Sequence, residues 1–207
     1  MEIKNEQSME QAILETAEQL FLEKGFRLTS TTQIAKEVGC NQALVHYYFR
    51  TKHNLFNTIF ENKFKLFFQR LFDTTQIETM NFTEKITYII ETHFDILAEN
   101  PKLPMLIMNE LSQQPDQIKI LREKLQALPQ QLFTLMNREL EQEIAAGRTR
   151  NIGFLDIMIT IVSLNVAIFA MLPVAANIIE LSEKQQKMLL IHRRSENVNV
   201  VLNYLKP

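Results

Sequence analysis

Residues 31–49 read TTQIAKEVGCNQALVHYYF. Thr31 or Thr32 can N-cap a short helix that Gly39 closes. Asn41 caps a second short helix, from Gln42 to Phe49, that carries Leu44, Val45, Tyr48 and Phe49. Two short helices joined by Gly39-Cys40-Asn41 form the pattern of a helix-turn-helix, whose second helix can enter the major groove of DNA. Gln42, Ala43, His46 and Tyr47 are expected to face solvent. Gln bonds adenine edges, His and Tyr donate to phosphates or bases, and the small Ala43 allows close approach and contact with a thymine methyl.

Outward from this stretch, helical periodicity continues on both sides. An N-terminal helix over 7–24 places Met9, Ile13, Ala17, Leu20 and Phe21 at steps of three and four, with Lys24-Gly25 as its stop. A helix from Lys52 to Leu71 carries Leu55, Phe56, Ile59, Phe60, Phe64, Phe67, Phe68 and Leu71, a stripe wide enough to demand a protein partner. Residues 74–81 form a polar break, read as a domain boundary. Further helices are expected over 82–99, 104–113, 116–145, 154–172 and 182–205, with a kink at Pro129. The last has an apolar seam at alternating steps of three and four. No repeat or low-complexity tract interrupts the pattern.

The whole chain has 207 residues and a net charge of −2, with 46% hydrophobic residues, four Gly and six Pro. That composition favours a packed helical core over disorder or a turn-rich sheet. The charge is segregated. Residues 24–70 hold eight Lys and Arg against Glu37 and Glu61, +8 − 2 = +6, while residues 1–23 hold Lys4 against six Glu, +1 − 6 = −5. A basic block therefore coincides with the helix-turn-helix, although the total excludes generic polyanion binding. Cys40 is the single cysteine, so an internal disulfide is excluded, and the four His show no metal-ligand spacing. No cofactor is expected. The acidic, polar N-terminus carries no secretory signal, and a cytoplasmic protein is expected. Residues 157–176 contain no charge and are long enough to span a membrane, but Thr160, Ser163, Asn165 and Pro173 favour a helix buried in protein.

The motif resembles the TetR family of bacterial transcriptional regulators. The family pattern runs Thr-Thr-x-x-Ile-Ala, then Ala-Gly-Val-Ser, a small residue, Leu-Tyr-x-Tyr-Phe and x-x-Lys. Thr31, Thr32, Ile34, Ala35, Gly39, Tyr48, Phe49, Lys52 and Leu55 match it. Cys40, Asn41, Ala43 and His46 depart from the usual Val, Ser, Gly and Tyr. The match covers residues 9 to about 60, roughly a quarter of the chain.

The resemblance implies an all-α fold: an N-terminal three-helix bundle with the helix-turn-helix, over residues 1–55, and a larger C-terminal ligand-binding and dimerisation domain, over 56–207. It implies DNA contacts from Thr31, Thr32, Gln33, Asn41, Gln42, Ala43, Leu44, His46, Tyr47, Tyr48 and Lys52, with Gln42, Tyr47 and Lys52 projecting outward. A ligand pocket would draw on His93, Phe94, Met105, Met108, Phe133, Met136, Phe154 and Met158. The last two helices would join those of a second subunit, and the Lys52-start helix would couple ligand to the spacing of two recognition helices. The implied function is a ligand-responsive regulator, a repressor, that binds a palindromic operator as a homodimer and is released by a small apolar effector. An enzyme is not expected: no nucleophile elbow, phosphate-binding Gly loop, His-Glu-x-x-His or paired carboxylate site is evident, and Glu139, Glu141 and Glu143 read as a solvated cluster. The alternative reading is a helical adaptor, membrane-anchored or soluble, without DNA binding.

Overall fold

A computed structural model describes residues 2–71, 79–113 and 127–207. Among them the chain is all-α, with helices α1 (Glu2–Lys24), α2 (Thr31–Val38), α3 (Gln42–Phe49), α4 (Lys52–Leu71), α5 (Phe82–Glu99), α6 (Leu103–Gln113), α7 (Ala127–Ala145), α8 (Phe154–Ile178) and α9 (Glu183–Leu205). The chain divides into two compact units, residues 1–65 with 105–124, and residues 66–104 with 125–207. Of the break expected at 74–81, residues 74–78 lie outside the described residues. So do residues 116–126 of the expected 116–145 helix.

The first unit is built around the apolar positions that the periodicity singles out. Ile13, Ala17, Leu20 and Phe21 of α1, Ile34 and Ala35 of α2, Val45 and Phe49 of α3, and Leu55, Phe56 and Ile59 of α4 form one buried cluster with Phe26. Phe21, Phe26 and Phe56 meet at ring-centroid distances of 5.1–5.7 Å. Of the α4 stripe, the side chains of Phe64, Phe67, Phe68 and Leu71 are outside the description.

The second unit packs α5, α7, α8 and α9 about Phe82, Ile86, Ile89, Ile90, Met136, Leu140, Phe154, Ile157, Ile161, Val201 and Leu205. Helix α8 buries a stripe at Phe154, Ile157, Ile161, Asn165, Phe169, Leu172 and Ala176, at steps of three and four. Its other side exposes Leu155, Ile159, Val162, Met171, Val174 and Ile178. Expected to be buried in a protein core or at an interface between subunits, this helix has 28% of its most apolar window covered within the single chain, and it is long and apolar enough to cross a membrane. It also runs past Pro173 to Ile178 instead of ending at 172. The proline forfeits one backbone N–H, and the freed geometry is tolerated on an exposed face, where the Asn177 amide donates to the Pro173 carbonyl at 2.7 Å.

A polar seam runs through this apolar unit. Asn165 and Asn197 are fully buried. The Asn165 amide donates to the Ile90 carbonyl (2.9 Å) and to Nδ1 of His93 (3.0 Å), and its oxygen accepts from the Asn197 amide (2.7 Å). Arg193 in turn donates to Asn197. Helices α5, α8 and α9 are thus tied by directional bonds, each group having a partner as burial requires. Arg194 clamps Asp95 through two bonds, 2.7 and 2.8 Å, and reaches Glu91 at 2.7 Å. The Glu cluster on α7 is not simply solvated. Glu139 holds the buried Lys85, and Glu143 takes a two-pronged bond from Arg148 at 2.7 and 2.8 Å.

Candidate nucleic-acid interface

The helix-turn-helix is set by local chemistry at four points. Ser30, not Thr31 or Thr32, caps α2. Its hydroxyl accepts from the Gln33 amide N–H (3.1 Å), and the Gln33 side chain accepts from the Ser30 N–H (3.0 Å). This reciprocal box satisfies two of the helix's unpaired donors. Gly39 ends α2 at φ +81°, a left-handed conformation that a Cβ would strain. Asn41 caps α3, accepting from the Leu44 N–H at 2.8 Å. Arg50 closes α3 with φ +62°, its N–H bonded to the His46 carbonyl.

The loop before α2 is fastened from two sides. The buried Thr29 hydroxyl lies 2.9 Å from the Gly25 carbonyl and 3.2 Å from that of Leu20. Lys52 donates to the Phe26 carbonyl (2.8 Å) and the Thr29 carbonyl (2.9 Å), with its ammonium 4.2 Å from the centroid of the Phe26 ring. This corrects the expectation that Lys52 projects outward. Two of its donors are spent on the protein's own loop, because those carbonyls lie where the start of α4 meets it.

Helix α3 turns Val45 and Phe49 into the core and half-buries Leu44 and Tyr48. Gln42, Ala43, His46 and Tyr47 are exposed, and Tyr47 stands edge-on to Tyr48 at 5.2 Å. Thr32, Gln33 and Asn41 are also exposed, and Thr31 is half-buried. Two polar side chains on α3 are engaged with their neighbours. Nε2 of Gln42 lies 3.1 Å from Oγ1 of Thr31 and 3.2 Å from Nε2 of His46, and Nδ1 of His46 lies 2.9 Å from the Arg50 carbonyl. Both ring nitrogens of His46, expected to reach phosphate or bases, therefore face protein atoms.

The basic block is smaller at this face than its count implies. Lys52 is turned inward and Lys63 pairs with Glu18 at 2.7 Å. Lys24, Arg27, Lys36 and Arg50 remain exposed around the helix pair.

Residues 13–59 match the family model described as bacterial regulatory proteins, tetR family. Over these residues, somewhat under a quarter of the chain, the protein is similar to that family. The chain is similar to the fatty acid metabolism regulator protein of Bacillus subtilis (strain 168), with 24% identity over 138 residues, 67% of this chain and 69% of that protein. In fold it is similar to a tetR-family regulatory protein from Rhodococcus RHA1 (TM-score 0.72, 16% identity, covering 96% and 97% of the two chains). It is likewise similar to the transcriptional regulator FadR from Bacillus subtilis in complex with stearoyl-CoA (TM-score 0.69, 18% identity, covering 94% and 98%). The fold of these structures and the family model matched over residues 13–59 agree with the helix-turn-helix built above.

The ligand residues expected in the C-terminal region are divided. In the second unit, Met136 and Phe154 are buried together, Met158 packs against them, and the exposed Phe133 meets Phe154 edge-on at 5.2 Å. Phe94 packs with Leu97 and Phe169 in a separate cluster, and His93 joins the polar seam. Met105 and Met108 are exposed and belong to the first unit. Asn165 and Asn197 are the only fully buried Asn pair among the described residues; Asn165 is read from the sequence only as a polar residue against a membrane span, and Asn197 is not singled out. The signal available was an Asn interrupting an uncharged run.

Proposed function

We propose that this protein is a regulator of the TetR family, a homodimeric, ligand-responsive repressor that reads a palindromic operator through α3. The observation that carries the reading is the outward face of α3, capped at both ends and seated on a buried core, with Gln42, Ala43 and Tyr47 exposed. A rigid eight-residue helix presenting a glutamine, a small residue and a tyrosine suits the major groove. The exposed cations around it supply phosphate contacts, few in number because Lys52 and Lys63 are engaged within the protein.

The apolar side of α8 supports dimerisation. Ile159, Val162 and Met171 on α8, and Met188 and Ile191 on α9, are more than two-fifths exposed. A two-fold partner using the same helices would cover them and give a four-helix bundle. Thr160 and Ser163, on or beside that face, and the bonded Asn165 within the helix suit a protein interface better than lipid. A cytoplasmic location follows from this reading.

For the effector we propose an apolar molecule, with a long-chain acyl thioester the first to test. The Phe and Met side chains around Met136 and Phe154 suit such a ligand. The relative named for fatty acid metabolism and the solved structure with stearoyl-CoA support the same class. A gel shift on DNA upstream of the protein's own coding sequence, in moderate salt, tests the reading. A sequence-dependent shift relieved by acyl thioester is expected. Absence of any sequence-dependent shift would contradict it.

A further inference from the structure

The recognition face contains a relay of hydrogen bonds whose polarity is determined at one end. Arg50, at φ +62° and ψ −53°, turns its carbonyl to within 2.9 Å of Nδ1 of His46. A carbonyl only accepts, so Nδ1 carries the hydrogen. In the neutral ring Nε2 is then a lone pair and accepts. The Gln42 side chain, 3.2 Å away, must present an N–H there, not its oxygen. The second N–H of the same amide donates to Oγ1 of Thr31 at 3.1 Å. Both amide hydrogens are spent inside the protein, and Oε1 is what the exposed Gln42 has left to offer.

We infer that Gln42 reads its base as an acceptor only, held in that orientation by Thr31 and His46 as positioning residues. The inference rests on the proposed DNA-binding role of α3. In the major groove the amines of adenine N6 and cytosine N4 are the donors, whereas guanine and thymine edges offer only acceptors to hydrogen-bonding groups. Gln42 therefore selects a base with an exocyclic major-groove amine, through one bond. The two-bond glutamine–adenine pairing, which also requires an N–H toward N7, is closed to it. Thr31, accepting from Gln42, keeps its own hydroxyl hydrogen for another acceptor, such as a phosphate oxygen.

The test is selection from random duplexes by the full-length wild type, Gln42→Ala and His46→Phe, followed by base analogues in the selected site. The base whose preference relaxes in Gln42→Ala is expected to be adenine or cytosine. Where it is adenine, removing its N6 amine should weaken wild-type binding about fivefold, while 7-deazaadenine changes it less than about twofold. His46→Phe frees one Gln42 N–H and should admit guanine at that base. Guanine or thymine as the wild-type choice, an equal loss from 7-deazaadenine, or a His46→Phe preference identical to wild type at that base would overturn the inference. If wild type enriches sequence but Gln42→Ala relaxes no position, this inference alone fails. If wild type enriches no sequence, the DNA-binding reading fails with it.

Discussion

Replacing Lys52 with methionine separates two roles for a side chain that the family resemblance assigns to DNA. Methionine keeps most of the apolar stem over Phe26 and deletes the ammonium. The deletion removes two hydrogen bonds from a charged donor, to the Phe26 and Thr29 carbonyls, and the contact with the Phe26 ring. Charge-assisted bonds contribute about 1.5–3 kcal/mol each when protected, and the ring contact roughly 0.5–1 kcal/mol at an exposed site. Lys52 is half-buried, so solvent takes up part of this, and the expected loss is roughly 2–4 kcal/mol. Urea unfolding followed by circular dichroism reads it, and hydrogen exchange of the α2 and α3 amides localises it. The salt dependence of operator binding supplies the second readout. A lysine on phosphate would make the slope of log K against log salt shallower by about one per subunit on substitution. The structure predicts lowered stability with an unchanged slope. Unchanged stability with a shallower slope would refute the assignment of Lys52 to the loop.

Three further predictions concern the second unit. Burial lowers the pKa of His93 from 6.5 to about 4, so the folded chain keeps it neutral where the unfolded chain takes up a proton. Its contribution is complete above the unfolded value and is lost as pH falls from 6.5 toward 4, by on the order of 3 kcal/mol; His93→Gln should flatten that limb of a stability–pH curve measured against wild type. Asn165→Leu strands the Asn197 amide and should cost roughly 2–4 kcal/mol in urea unfolding, whereas Asn165→Leu with Asn197→Leu should recover part of the loss because both partners go. Ile159→Glu with Ile191→Glu should leave the helical circular dichroism unchanged and convert a dimer to a monomer by light scattering, since both side chains are exposed in the single chain.

The fold was legible wherever its signals are local. Gly39 and Asn41 announce the turn by residue type, and the stripe Leu55, Phe56 and Ile59 announces a core by spacing. The cap of α2 was also present in the sequence, as Ser30 followed three residues later by Gln33. Three consecutive hydroxyl residues can each cap, and only that Gln decides among them. What could not be read is what depends on distant partners. Lys52 finds carbonyls 23 and 26 residues earlier in the chain, and Asn165 finds a carbonyl 75 residues earlier and an amide 32 residues later. His46 looked like a DNA contact because it is exposed; its engagement depends on the positive-φ turn at Arg50, which residue type does not announce. The uncharged run was likewise readable as apolar, but which of its sides meets the chain's own core follows only from the packing of α5 and α9.

The mass of the complex formed on a selected palindrome, compared with that on a single half-site, bears most directly on the central claim. Light scattering across a titration of full-length protein into each duplex is sufficient. The account predicts an integral number of two-chain units on the palindrome, with weaker binding to the half-site, and loss of sequence preference when Gln42 and Tyr47 are both replaced by alanine. One chain per palindrome, or a Gln42→Ala, Tyr47→Ala protein that keeps its sequence preference, would contradict it.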